Sequence, residues 1–95
     1  MKRILWWLIA GTKGGKTRAE LIEELSKNPA NANQLTERLG YDYKTVRHHL
    51  DVLRDNKIIT AEGDKYGAVY FLTDEMEQNY NLFLETLKKI KKGSD

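Results

Sequence analysis

The stretch Ala10-Gly11-Thr12-Lys13-Gly14-Gly15-Lys16-Thr17 has the residue types of a phosphate-binding loop. Glycines let backbone N–H groups approach an anion, and a Lys-Thr pair closes the run. In that chemistry Lys16 holds phosphates, Thr17 binds Mg²⁺, residues 4–9 form a strand, and residues 68–72 with Asp74 supply the magnesium-binding strand. The surrounding elements argue against it. Such a loop needs a parallel sheet covered on both faces, whereas the spacing of the β-rich segments here gives an antiparallel hairpin. Thr17 also has a local use as a helix cap, with Glu20 three residues on. A nucleotide-binding P-loop protein is therefore the least favoured reading.

The second candidate for chemistry is the pair His48-His49. Adjacent positions on a helix diverge by about 100°, so the two rings do not converge on one ion. His49 is expected to pack or cap at a helix interface, and His48 to make a surface contact. The chain has no cysteine, which removes thiolate zinc sites, disulfides and cysteine nucleophiles together. No Ser/His/Asp arrangement is supported by spacing, so neither catalytic residues nor a metal or cofactor are expected, and the chain reads as a non-enzyme.

The elements that must position the remaining polar residues fit in one domain, since the chain has 95 residues. With 40% hydrophobic and 32% charged residues and a single proline, the composition suits a small soluble fold with a cytoplasmic address and no membrane partner. Met1-Lys2-Arg3 followed by the apolar residues 4–10 has the outline of a secretion signal. That run is far shorter than the roughly 20 residues that span a bilayer, and Lys13 and Lys16 follow in place of a cleavage site. The formal net charge of +2 is unevenly spread: residues 1–18 hold Lys2, Arg3, Lys13, Lys16 and Arg18 and no acid. A solvated surface and a phosphate-facing patch are equally good readings of that segment.

Residues 1–16 form an N-terminal helix or strand and a glycine-rich loop. A first core helix begins at the box Thr17-Arg18-Ala19-Glu20, carries Leu21, Ile22 and Leu25 on one stripe with Arg18, and stops at Asn28-Pro29. A short helix follows over residues 30–39, with Asn31 or Asn33 as cap and Gly40 as terminator. A third helix runs from about residue 42, capped by Asp42, to about residue 56. Val46, Leu50 and Leu53 form its buried stripe, and Lys44, Arg47, His48 and Asp51 its opposite face. Residues 58–72 read as a β-hairpin whose turn is Glu62-Gly63-Asp64-Lys65-Tyr66-Gly67. In residues 73–95, Met76, Tyr80, Phe83, Leu87 and Ile90 recur at heptad spacing on one helix.

Helix, short helix, polar-faced helix, hairpin is the order of a winged helix-turn-helix, here residues 17–72 inside a single domain of residues 1–95. The fold class is mainly α with a small β-hairpin wing, flanked by N- and C-terminal dimerisation helices. Asn31-Ala-Asn-Gln-Leu35, Asp42-Tyr-Lys-Thr-Val46, His48-His-Leu50, Lys65-Tyr-Gly67 and Tyr70-Phe-Leu72 resemble archaeal ArsR-type winged-helix regulators. The resemblance implies a dimer that reads double-stranded DNA with the third helix and the wing. It gives base-reading and phosphate roles to Tyr43, Lys44, Thr45, Arg47 and His48, and a wing contact to Lys65 and Tyr66. The lack of cysteine departs from the metal-sensing members of that family.

Two flanking amphipathic elements exceed what a small winged-helix core covers, so Trp6, Trp7, Met76, Tyr80, Phe83, Leu87 and Ile90 are expected to pair with a second copy. The resulting expectation is a sequence-specific DNA-binding transcriptional regulator acting as a homodimer on a palindromic site. The alternative is a winged-helix module that docks protein, kept open by the modest net charge. No polar pattern around Trp6 and Trp7 points to a small-molecule effector.

Overall fold

The computed structural model describes residues 1–64 and 67–93, the side chains of 91–93 excepted. Helix α1 (Lys2–Trp6) continues into a π-helical turn at Trp7–Gly11, so the N-terminal segment is helical. The strand required ahead of a phosphate loop is not formed there.

Helix α2 (Gly15–Lys27) starts earlier than the Thr17 box predicts. Its N-cap is Gly14, with φ 91° and no side-chain cap. The two glycines explain the shift. A Cβ at Gly15 would collide with the backbone of Ile9, and one at Gly14 would lie 2.5 Å from the His49 ring. Gly14 therefore makes the left-handed turn that α2 needs, and Gly15 lets the π-helical turn press against its first residue. Thr17 is buried inside the helix.

The central elements follow the local signals. A very short strand, β1 (Ala30–Asn31), leads into α3 (Ala32–Leu39), which Asn31 caps in a reciprocal box with Gln34 and Gly40 ends in the left-handed conformation. Asp42 caps α4 (Tyr43–Asp55), and Lys57, with φ 61°, turns the chain into the sheet. Strands β2 (Ile59–Glu62) and β3 (Val69–Leu72) form the hairpin, with Ile59 opposite Leu72. Strand β1 adds to β3 by pairing Ala30 with Tyr70, so the sheet order is β1-β3-β2. The hairpin reading does not include β1, because two residues are too few to show an alternation in the sequence.

The C-terminal heptad helix is interrupted. Thr73 caps α5 (Asp74–Gln78), whose end at Asn79 is closed by a bond from Asn79 Nδ2 to the Glu75 carbonyl, and α6 (Tyr80–Gly93) starts afresh. Met76 and Phe83 are fully buried in the chain's own core with Leu5, Leu8, Leu21, Ile22, Leu50 and Leu53. This corrects the expected dimer seam at Met76 and Phe83. The flanking helices cover the winged-helix core themselves, and no surface of these two side chains remains for a second copy. Tyr80 is half-buried; its hydroxyl donates to Ser26 Oγ at 3.2 Å and its ring lies 5.2 Å from Phe83.

Candidate nucleic-acid interface

Helix α4 owes its start to one carboxylate. Asp42 Oδ1 accepts from the Thr45 backbone N–H at 2.9 Å, and Oδ2 accepts from the Thr45 hydroxyl at 3.0 Å. These two bonds, with Lys44 nearby, hold the Asp42 carboxyl below the usual carboxylate range. Thr45, predicted as a DNA contact, is half-buried and its hydroxyl proton is committed to this cap.

From that fixed end, Tyr43, Lys44 and His48 project outward, with Tyr43 47% exposed despite its aromatic ring. Arg47 is half-buried between α4 and the sheet. It lines one crevice with Asn31, Asn33, Tyr43 and Tyr70, and a second with Arg54, Ala61, Gly63 and Tyr70. The structure thus brings Tyr43, Lys44, Arg47 and His48 to one side of α4, beside the base of the hairpin. Lys65 and Tyr66, the expected wing contacts, lie outside the described residues.

Sequence reasoning missed Arg54. It is exposed, and it lines the second crevice with Arg47 two turns earlier on α4. The i, i+7 spacing of Arg47 and Arg54, each one residue after Val46 and Leu53 on the flank of the buried stripe, was the available signal. Asn33, at the start of α3, reaches the first crevice in the same way.

The basic N-terminal segment divides on folding. Lys2, Arg3, Lys13 and Lys16 are exposed, but Arg18 is only 4% exposed. Its Nε donates to the Leu8 carbonyl at 2.7 Å, Nη2 to the Lys13 carbonyl at 3.1 Å and to the Thr12 hydroxyl, and Nη1 to His49 Nδ1 at 3.1 Å. Arg18 therefore takes no part in a phosphate-facing patch. His49 faces inward while His48 faces out, with their rings 5.0 Å apart at 64° and not converging on a common point. Burial, then the charges of Arg18 and His48, push His49 below the usual histidine value.

On the far side, Trp6 and Trp7 are 49% and 50% exposed. With Lys2, Arg3, Leu82, Glu85, Thr86 and Lys89 they line a groove of about 650 Å³ between α1 and α6. Leu87 and Ile90 are half-buried and turn toward α2, lining a smaller recess with Ile9 and Ala19. Leu84 is the exposed leucine of α6.

Residues 15–61 match the arsR family of bacterial regulatory proteins. The matched segment, just under half of the chain, runs from the first residue of α2 into β2 and contains the whole of α3 and α4. No curated protein sequence matches the chain.

The fold is that of winged-helix regulators. A probable transcriptional regulator from Pseudomonas aeruginosa superposes with a TM-score of 0.75 at 17% identity, covering 97% of this chain and 72% of that one. The transcriptional regulator BldR from Sulfolobus solfataricus gives 0.73 at 11% identity, over 98% and 68%. A point mutant of Lactococcus lactis ZitR gives 0.60 at 16% identity, over 80% and 57%, so the chain spans little more than half of that protein. The likeness does not single out archaeal regulators, because the Pseudomonas and Sulfolobus structures match about equally well.

Proposed function

We propose that this chain is a sequence-specific DNA-binding transcriptional regulator that acts as a homodimer. The observation that carries the reading is the outer side of α4. Tyr43, Lys44 and His48 stand free at its N-terminal half, and Arg47 and Arg54 flank the sheet. An α-helix fits the major groove, and residues near its start reach base edges. Tyr43, Lys44 and His48 read bases in this account. Arg47 and Arg54 take backbone phosphates beside the wing, where Lys65 and Tyr66 add a contact. Thr45 contributes through its cap with Asp42 and through its remaining acceptor capacity.

The second copy docks on the groove of Trp6, Trp7 and Leu82, while Leu87 and Ile90 face the separate recess against α2. Two indole rings half in solvent on one short helical segment are an uncommon cost for a monomer. The rim also carries both signs, with Lys2, Arg3 and Lys89 against Glu85. That mixture suits a two-fold contact in which each patch meets its own copy.

The test is association with a short random-sequence duplex across a salt series, read by fluorescence anisotropy. Affinity should fall steeply with salt as counterions are released, and Arg47→Ala should weaken binding to all sequences alike and lower the salt slope by about one. Salt-insensitive association, or an Arg47→Ala variant indistinguishable from wild type, would favour a protein-docking module.

A further inference from the structure

Among the described residues the buried Arg18 bonds no carboxylate; Leu8 O, Lys13 O, Thr12 Oγ1 and His49 Nδ1 are all neutral acceptors. A guanidinium has donors and no lone pair, and it keeps its charge in proteins. The bond to His49 Nδ1 therefore requires a neutral imidazole with its proton on Nε2. A second proton on Nδ1 would set N–H against N–H and cation against cation. The charges acting on the ring are those of Arg18 from α2 and His48 from its own helix, both of the same sign, so neither would compensate.

The ring has little room to step aside. A Cβ at Gly14 would lie 2.5 Å from His49 Cε1 and 3.1 Å from Arg18 Nη1, so the loop is folded closely over both side chains. Through Arg18 the same contact fixes the Leu8 carbonyl, within the π-helical turn that carries Trp7, and the loop at Thr12 and Lys13. Along α4, His49 follows directly on the exposed His48 and stands two residues from Arg47.

We propose that the Arg18–His49 contact is a proton-sensitive latch: neutral His49 holds the reading helix to the N-terminal turn, and protonation releases it and weakens DNA binding. The proposal rests on the DNA-binding reading for its outcome, and on the geometry alone for the latch. His49 is a positioning residue here, since it lies under the outer side of α4. Its depressed proton affinity keeps the latch closed at neutral pH. The unfolded chain takes up this proton at the ordinary histidine value and the folded chain only below it. The stability conferred is thus full above the ordinary histidine range and is lost as pH falls from there through the depressed value.

The experiment is an NMR titration of the full chain from about pH 7.5 to about pH 5, following both imidazoles and the backbone amides. His49 should titrate below the ordinary histidine value, and the amides of Leu8, Thr12 and Gly14 should shift with the His49 midpoint. In His49→Gln, whose amide oxygen accepts from Arg18 without titrating, those shifts should be flat. In a second arm the background is His48→Gln, which leaves His49 as the chain's one imidazole. The affinity of this variant for a short random-sequence duplex should fall about tenfold over the same range, while His48→Gln/His49→Gln loses far less. Titration of His49 at the ordinary value, or loop amides that do not follow it, would overturn the latch. If the wild-type chain bound no duplex at neutral pH, the DNA reading would fall instead, and the amide titration would decide the latch by itself.

Discussion

Arg18 on α2 and His49 on α4, far apart in sequence, meet at 3.1 Å beneath a glycine loop, and the guanidinium spends its other donors on backbone and hydroxyl oxygens of the N-terminal turn. One side chain thereby ties three segments together. Replacing it with an apolar residue of similar length, Arg18→Met, leaves the Leu8 and Lys13 carbonyls without their donor. Unfolding in urea should show a loss of about 1–3 kcal/mol, because the Leu8 carbonyl is buried and an abandoned buried acceptor costs roughly that much.

The glycine loop gives a second test, one that separates packing from phosphate binding. Gly15→Ala should destabilise the chain by about 1–3 kcal/mol, since the added methyl meets the backbone of Ile9 and something must shift. Lys16 is exposed, and Lys16→Ala should leave the thermal midpoint nearly unchanged. Calorimetry with ATP and Mg²⁺ should give no saturable heat for the wild type. Nucleotide binding lost in Lys16→Ala would restore the phosphate-loop reading.

The start of the reading helix depends on Asp42. In Asp42→Ala, hydrogen exchange at Thr45 should quicken, because its N–H loses the side-chain acceptor. In acid the wild type should lose the same protection at Thr45, measured against the slower intrinsic exchange there. Asp42 has a folded proton affinity below its unfolded one, so its contribution is present above the ordinary carboxylate range and disappears as pH falls through the depressed value.

Burial also divides the C-terminal apolar residues into two experimental classes. Phe83→Ala should cost about 3–5 kcal/mol in stability, as a cavity opens in the chain's own core. Trp6→Lys adds a cation to a rim that already holds Lys2, Arg3 and Lys89, and should leave the fold intact while halving the mass in sedimentation. A wild type that sediments as a monomer at micromolar concentration would remove the proposed dimer.

The helix-turn-helix was legible in the sequence because its signals are local. Asn31 with Gln34, Gly40, and Asp42 ahead of Val46-Leu50-Leu53 each act within a turn of where they stand. What escaped depends on contacts between segments. Arg18 counts as surface charge until the N-terminal turn and α4 close over it, and Thr17 reads as a cap until the close approach of Ile9 to Gly15 moves the helix start. Heptad spacing in residues 76–90 describes an apolar stripe equally well whether it meets a second copy or the chain's own α1 and α2. The pairing of Ala30 with Tyr70 leaves no pattern in a segment two residues long.

The most direct measurement is repeated selection of bound fragments from a random-sequence duplex pool, followed by sequencing. The account predicts enrichment of an inverted repeat with half-site centres about one helical turn, roughly 10 base pairs, apart or a multiple of it. The fraction recovered should fall in Arg47→Ala, and the inverted repeat should be lost in Trp6→Lys. A pool that stays random after selection with the intact wild-type chain would contradict it.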